Sequence, residues 1–175
     1  MSDICKEYAA ALFDLAKEGG KEEKYLSELI CIEKVFSENE DYLKVLRLPN
    51  VSLEEKESLL ESAFSSADKY VLNFIKLLNK NHVLESLPDI CEEYRKEFDS
   101  EHGLLRALAV SAVELTEGER EKIKAKLQSI TGKEIVLDTK VDESILGGVI
   151  LRYDDKEIDG SIKARLRKMR AELKE

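Results

Sequence analysis

The amino-acid sequence predicts an α+β protein with an N-terminal six-helix bundle followed by a small C-terminal α/β domain. Three observations support this prediction. Apolar residues recur at helical spacing as far as Gly103 and change to alternation in later segments. Capping sequences and glycines stand where helices would begin and end. The chain has 175 residues, enough for two small domains, which we place at residues 1–103 and 104–175.

The N-terminal part predicts one helix after another. Gly19 and Gly20 end the first helix, and Ser52 with Glu55 forms a capping box for the fourth. The predicted helices are 3–18, 21–37, a short one around 42–46 that ends before Pro49, 52–64, 68–80, and one from about 83 or 88 to 101. In the second helix we expect the inward residues to be Leu26, Leu29, Ile30 and Val35 or Phe36.

The C-terminal part predicts the order β-α-β-β-(β)-α. Segment 104–115 favours a strand, although its alanines leave it ambiguous, and 133–141, 147–153 and Ile158 follow as strands around a turn at 154–157. Thr116 and Glu119 form a second capping box, and Ser161 is expected to cap the last helix. The expected apolar positions are Ile123, Leu127 and Ile130 in the first helix, Ile135, Leu137, Thr139 and Val141 on one strand face, and Ile162, Leu166, Met169 and Leu173 in the last helix.

Composition excludes several classes of function. The net charge of −9 argues against non-specific nucleic-acid binding. No stretch approaches the roughly 20 apolar residues of a membrane span, so we expect no direct membrane insertion. The first residues resemble neither a secretory signal nor a transit peptide. A bacterial-type, cytosolic protein is therefore expected.

Residues with reactive side chains form no recognisable catalytic site. We expect Cys5, Cys31 and Cys91 to be small buried residues, and His82 and His102 to lie on the surface or at helix ends. Neither zinc-ligand spacing nor a Ser or Cys nucleophile with a histidine partner is present. The sequence therefore predicts a protein that is not an enzyme, with no cofactor and no metal.

The glycine pair at Gly147 and Gly148 resembles a phosphate-binding loop, but the residues that such a loop needs after its glycines are missing. A P-loop needs Lys and Ser or Thr after its last glycine, whereas Val149, Ile150 and Leu151 follow here. A dinucleotide fingerprint needs three closely spaced glycines. The pair is better explained as the entrance of a strand, where the backbone must bend or pack closely.

Two helices carry apolar faces wider than a surface helix needs. In the first helix, Cys5, Ala9, Leu12, Phe13 and Ala16 suit the core, and in the fifth Val71, Phe74, Ile75 and Leu78 do. Both helices could simply be central in the bundle. The alternative is that they flank a groove for a partner helix, in which case the groove residues are Ile4, Tyr8, Ala11 and Leu15 on the first helix and Tyr70, Asn73 and Leu77 on the fifth.

Three segments carry a resemblance to a known family. They are YAAALFDLA (8–16), LLNKNHVLESLPDICEEY (77–94) and, above all, GGVILRYDDKEIDGSIKARLRKM (147–169). The last resembles the pattern G-G-V/I-x-x-x-x-x-D-x-x-I-D-G-S-x-x-x-x-L, matched by Gly147, Gly148, Val149, Asp155, Ile158, Asp159, Gly160, Ser161 and Leu166. The chain is similar over nearly its full length to the delta subunit of bacterial F-type ATP synthase, a family related to the mitochondrial oligomycin-sensitivity-conferring protein. Tyr153 and Asp154 depart from it, since a smaller, glycine-containing turn is common there.

This resemblance implies a non-catalytic stator subunit that links the catalytic head to the peripheral stalk. The helical domain would bind the N-terminal helices of alpha subunits, and the C-terminal domain would bind the C-terminal ends of the b subunits. The complex would place the protein at the cytoplasmic face of the bacterial cell (inner) membrane. The last helix carries a basic face that could meet an acidic stalk segment or simply face solvent. Its cations are Lys163, Arg165, Arg167, Lys168, Arg170 and Lys174, against the carboxylates of Glu172 and Glu175.

Two other classes of protein remain as alternatives. One is an unrelated adaptor that binds helices. The other is a small RNA-binding module, because such modules share the β-α-β-β-α order. That function would require exposed strand aromatics, for which Tyr153 is the one candidate, and a basic surface.

Overall fold

The computed structural model describes residues 3–154 and 156–172. Within these residues the chain forms eight α-helices and four β-strands, so it is an α+β protein. It divides into two compact units, residues 1–98 and 99–175. The boundary lies inside the sixth helix, a few residues before Gly103.

The first unit is helical. Its elements are α1 (Asp3–Gly19), α2 (Glu22–Glu38), α3 (Glu40–Arg47), α4 (Leu53–Ala63), α5 (Lys69–Lys80), a single 3₁₀ turn (Leu84–Ser86) and α6 (Leu87–Glu101), which continues past the unit's end. Aromatic residues hold several of these helices together by edge-to-face contacts. The rings of Phe13 and Tyr94 are 5.4 Å apart, as are those of Phe36 and Phe64.

The helix ends agree with the capping residues of the sequence. The Ser52 hydroxyl accepts from the Glu55 N–H at 3.2 Å, and the Glu55 carboxylate accepts from the Ser52 N–H at 2.9 Å, which completes the predicted capping box. The Glu55 carboxylate accepts hydrogen bonds from the Ser52 N–H and from the Ser52 hydroxyl, and these two bonds, the backbone one first, lower the pKa of Glu55. Gly20 follows α1 with φ of 58°, a left-handed conformation that glycine adopts without strain.

Two expected core positions of α2 are wrong. Ile30 is 38% exposed and Cys31 is exposed, whereas Ile32 and Phe36 are buried. Leu26 and Leu29 are buried as predicted. Ile30 lies one position beyond Leu29, about 100° around the helix, and the neighbouring helices do not reach that side. Cys5 and Cys91 are buried as predicted.

The second unit is built on a four-stranded mixed sheet. Its elements are β1 (Leu104–Ser111), α7 (Glu117–Thr131), β2 (Glu134–Val141), β3 (Val149–Tyr153), β4 (Lys156–Asp159) and α8 (Ile162–Glu172). The strand order is β2-β1-β3-β4, with β1 and β2 parallel and the other pairs antiparallel. Helix α7 is the crossover that parallel neighbours require.

The core of this unit lies between α7 and one face of the sheet. Its buried residues are Leu105, Ala107, Leu127, Ile135 and Tyr153, with Ile123 and Leu137 packed against them. Three predicted positions are not part of this core: Ile130 is 60% exposed, Val141 is 48% exposed, and Thr139 is exposed as well. All three lie toward the C-terminal ends of their elements.

Tyr153 is buried at 8% exposure, so the strand aromatic that an RNA-binding module would need is part of the core.

The expected turn at 154–157 is shorter than predicted, because Lys156 and Glu157 already belong to β4. Asp154 adopts φ of 48°, a left-handed conformation that glycine adopts without strain. The predicted positions Asp155 and Leu173 lie outside the described residues.

Candidate functional site

Helix α1 separates its two apolar stripes between the core and the surface. Cys5, Ala9, Leu12, Phe13 and Ala16 are all buried. Of the predicted groove residues, Ile4 is 49% exposed and Ala11 is exposed, while Tyr8 and Leu15 are partly buried. The outward stripe therefore presents apolar surface that the described residues leave uncovered.

Helix α5 has the same division. Val71, Phe74, Ile75 and Leu78 are buried, whereas Tyr70 is 51% exposed and Leu77 is 45% exposed. Asn73 is exposed on the same side. Large apolar side chains that stay exposed on one helix face are a common feature of surfaces that bind partners.

Tyr8 connects the two helices. Its ring meets the ring of Phe74 edge to face at 6.1 Å, and its hydroxyl accepts a hydrogen bond of 2.8 Å from Asn81 Nδ2 just after α5. The structure thus brings Tyr8 together with α5, as the groove hypothesis requires. Asn81 had no role in the sequence-based prediction, because a contact between residues so far apart in the chain leaves no local pattern.

Asp68 fixes the start of α5 to α2. Its carboxylate accepts from Lys21 Nζ and Lys24 Nζ, each at 3.0 Å, and from the Tyr25 hydroxyl and the Tyr70 N–H, each at 3.2 Å. The side chain is only 9% exposed. The Asp68 N–H in turn donates to the Glu28 carboxylate at 2.8 Å.

These contacts change the ionisation of the groups involved. Hydrogen bonds from Lys21 and then Lys24 hold the pKa of Asp68 well below its usual range. Burial, together with the nearby Asp68 charge, raises the pKa of Tyr25 to about 12. At neutral pH the cluster therefore holds an ionised carboxylate between two ammonium groups, directly beside the predicted groove residue Tyr70. In the local sequence, only the position of Asp68 as the N-cap of α5 indicated this cluster.

The two glycine-containing segments of the second unit meet at the start of α8. A side chain at Gly148 would place its Cβ 2.5 Å from the Gly160 carbonyl oxygen and 2.8 Å from Ser161 Cα. The Gly147 carbonyl accepts from the Ile162 N–H at 3.0 Å. The glycines therefore permit close backbone packing, which is the structural role that the sequence indicated.

The turn between β4 and α8 is closed by its own side chains. Asp159 Oδ1 accepts from the Ser161 N–H at 2.9 Å, and Ser161 Oγ accepts from the Ala164 N–H at 3.2 Å, so that Ser161 caps α8 as predicted. The bonds from Ser161 also lower the pKa of Asp159. This arrangement fixes the direction in which α8 leaves the sheet.

Two negative findings apply to the described part of the chain. No group of three or more His, Cys, Asp or Glu side chains there is placed to hold a metal ion. None of the helices in residues 3–154 and 156–172 combines the length and apolar character that crossing a membrane demands.

A family model for the ATP synthase delta (OSCP) subunit matches residues 4–173. The chain belongs to this family. Named relatives agree: the ATP synthase subunit delta of Leuconostoc citreum is 33% identical over 99% of this chain and 97% of its own length. That of Bacillus cytotoxicus is 34% identical over 97% of this chain and 95% of its own.

The fold is shared with a solved structure of this family's complex. A chain in the Toxoplasma gondii mitochondrial ATP synthase hexamer superposes with a TM-score of 0.71, covers 99% of both chains and is 22% identical. At this identity the likeness concerns the fold.

As a member of the ATP synthase delta (OSCP) family, the protein is a non-catalytic stator subunit of the F-type ATP synthase. It links the catalytic head to the peripheral stalk and is part of a membrane-associated complex.

Proposed function

We propose that the protein performs its stator role through two separate surfaces. The N-terminal domain, residues 1–103, acts as a six-helix bundle that binds the N-terminal helices of alpha subunits of the catalytic head. The C-terminal domain, residues 104–175, binds the C-terminal ends of the b subunits of the peripheral stalk. Such an arrangement places the protein at the cytoplasmic face of the bacterial cell membrane.

The observation that supports the head-binding surface is the uncovered apolar stripe on each of two helices in contact. Ala11 lies on the outward face of α1, where its small side chain lets a partner helix approach closely. Leu77 and Tyr70 supply large apolar area on α5. Such an arrangement fits an amphipathic helix laid into a groove, with anchors three or four residues apart.

A stator needs slow dissociation more than it needs fast binding. The head must not turn with the rotor, so each contact is loaded during every turnover and must outlast many of them. Affinity differences among related interfaces arise mainly from the dissociation rate. Rigid aromatic and aliphatic contacts suit this requirement, because little side-chain freedom is lost when they form.

The test is a substitution in the groove. Replacing Ala11 with glutamate should obstruct the groove and leave a charge without a partner, while the exposed position lets the domain fold. Binding of a synthetic peptide that reproduces the N-terminal helix of an alpha subunit, measured by calorimetry, should weaken by about 2 kcal/mol or more. Leu77→Ala on α5 should weaken the same binding.

Glu7→Gln on the polar side of α1 is the matched control and should leave binding unchanged. Melting curves of all three variants should resemble that of the parent protein. Parent-like affinity of Ala11→Glu, together with an unchanged melting curve, would move the head-binding surface away from α1 and α5.

A further inference from the structure

Two adjoining cavities lie in the first unit, where α3 faces the end of α5 and the 3₁₀ turn that follows it. Their volumes are about 270 Å³ and 390 Å³. Clefts of roughly this size are where small molecules bind to proteins. We call the two cavities together the α3 cleft, and the residues that line both of them are Leu43, Arg47, Leu84 and Glu85.

The floor of the α3 cleft is apolar. Leu46 and Leu84 are buried and line the smaller cavity, and Leu84 lines the larger one together with Phe36 and Leu87, which are buried as well. Leu43 on α3 is half-buried and lies between the two. An apolar ligand would bind here by taking this surface, and its own, out of water.

Asn79 places a buried polar side chain in the smaller cavity. It is 7% exposed, whereas the other polar residues of that lining, Arg47, His82 and Glu85, are exposed. Among the described residues, Asn79 Nδ2 is a buried amide nitrogen without a hydrogen-bond partner. Nearly all such buried groups have an acceptor. Because the terminal amide torsion is broad, a small rotation presents this donor to a ligand that brings an acceptor.

The charges of the lining favour an uncharged ligand. Arg47 already pairs with Glu85, with 2.8 Å between Nη2 and Oε1. Glu33 and Glu40 add two further carboxylates to the larger cavity. An anionic ligand would meet these like charges. An ammonium group would lie near Arg47 and has no lone pair with which to accept from the Asn79 amide.

We propose that the α3 cleft binds a small uncharged molecule that has an apolar body and one carbonyl oxygen. The carbonyl oxygen accepts from Asn79 Nδ2, and the apolar body packs on Leu43 and Leu84. The lining shares no residue with the groove of α1 and α5, so this site is independent of the proposed head-binding surface. A ligand that contacts α3, α5 and the 3₁₀ turn at once also stabilises the folded helical unit.

The test uses the full-length protein and three probes of equal chain length. Hexanamide is the uncharged carbonyl probe, hexanoate is its anionic counterpart and hexylamine is its cationic counterpart. Titration followed by nitrogen–proton NMR should show saturable shifts of the Asn79 side-chain amide with hexanamide. A dissociation constant on the order of 1 mM is expected for so small a probe. Hexanoate and hexylamine should bind about tenfold more weakly.

Two substitutions separate the donor from the space. Asn79→Leu keeps a branched side chain and removes the donor, so hexanamide binding should weaken by about threefold to tenfold. Leu43→Trp fills the cleft from a half-buried position and should abolish binding. The backbone amide signals of Leu84 and Glu85 report binding by both variants, since the first variant lacks the Asn79 signal.

Matched controls lie outside the lining of the α3 cleft. Gln128→Leu removes an exposed side-chain amide from α7, and Leu59→Trp introduces the same ring at a position of α4 that is 38% exposed. Both controls should bind hexanamide like the parent protein. Melting curves establish that every variant is folded.

Three results would overturn the proposal. Titration with hexanamide that gives no saturable shift would show that solvent alone fills the α3 cleft. Binding of hexanoate or hexylamine as tight as that of hexanamide would assign the cleft to a charged class of ligand. Parent-like binding by both Asn79→Leu and Leu43→Trp would place the probe elsewhere on the surface. The stator function would stand in each case, because no partner protein takes part in the test.

Discussion

Among the glycines, Gly148 is the one at which an added Cβ would make the shortest contact. It has φ of 90°, and an added Cβ would lie 2.5 Å from the Gly160 carbonyl oxygen. Both the strained conformation and the contact disfavour alanine. We predict that Gly148→Ala lowers the free energy of unfolding by about 1–3 kcal/mol. Urea denaturation followed by circular dichroism measures this change.

Gly118 is the control for that substitution. It lies in α7 without a positive φ, and an added Cβ would meet nothing within 4 Å. Because alanine favours a helix more than glycine does, Gly118→Ala should be neutral or slightly stabilising. Equal effects of the two substitutions would show that close packing at Gly148 does not matter.

Asp68 should make stability depend on pH in the acid range. Its pKa is held well below the usual aspartate value of about 4, so its ionised form stabilises the folded state. This contribution is complete above the unfolded pKa and is lost as pH falls through the folded pKa. We predict that Asp68→Ala costs about 1–2 kcal/mol at pH 7, through the lost cap and the lost bonds to Lys21 and Lys24.

Comparing the parent with Asp68→Ala at low pH separates the contribution of the carboxylate charge from that of the side chain's shape. Below about pH 4 the difference between the parent and Asp68→Ala should shrink, since Asp68 takes up a proton in the unfolded chain at a higher pH than in the folded protein. Asp68→Asn keeps an acceptor for the Tyr70 N–H and should lose less than alanine does at pH 7. A difference in stability that stays constant from pH 7 to pH 3 would contradict the role assigned to the charge.

Individual residues also define the limit of sequence-based prediction. The caps at Ser52 and Ser161 were predicted because their signal lies within a few residues of chain. The predicted burial of Ile30 and Cys31 was wrong because helical periodicity locates the centre of an apolar stripe but not its edges. Where the stripe ends depends on which neighbouring helix covers it, and a single helix does not contain that information.

At the scale of elements, the sheet of the second unit depends on Tyr153. This side chain is buried with Leu105, Ala107, Leu127 and Ile135, where β3 and β1 meet α7. We predict that Tyr153→Ala costs about 3–5 kcal/mol through lost burial and the cavity it leaves. Chemical denaturation should detect an early loss of structure in residues 99–175.

Tyr153→Phe is the matched change, since it keeps the ring in place. It should cost under about 1.5 kcal/mol, as volume-conserving core substitutions do. A stability of Tyr153→Ala close to that of the parent would mean that the ring is not part of the core. The RNA-binding alternative, which needs this ring at the surface, would then regain support.

Element order was predicted more completely than element contacts. The order of helices and strands follows from periodicity, glycines and capping residues, which are local signals. The register of β1 against β2 and the contact of Tyr8 with Phe74 and Asn81 were outside the reach of those signals. The groove residues could be proposed from the width of the apolar faces of α1 and α5 alone. The cluster around Asp68, which fixes α5 beside those residues, could not be predicted in this way.

At the scale of the whole molecule, the first unit has a buried core of its own. The fragment that ends at His102 keeps α6 intact and contains every element of the first unit. We predict that this fragment folds alone, because it has its own buried apolar core. Circular dichroism should show a helical spectrum and a cooperative thermal transition.

A fragment that ends within α6, before Tyr94, provides the contrast. Tyr94 is fully buried against Phe13, and its hydroxyl donates to the Glu22 carbonyl at 3.1 Å. Removing it should abolish cooperative melting. If the fragment ending at His102 also gave a disordered spectrum, the first unit would not be an independent domain.

Because the three cysteines differ in burial, the folded protein exposes one thiol to reagents. Cys5 and Cys91 are buried, and burial raises the pKa of the Cys91 thiol to about 12, while Cys31 is exposed on α2. A maleimide fluorophore should therefore attach to Cys31 alone in the folded protein and to all three cysteines in denaturant. One dye on one helix, introduced without mutagenesis, would report by its anisotropy how long the protein stays bound to its complex.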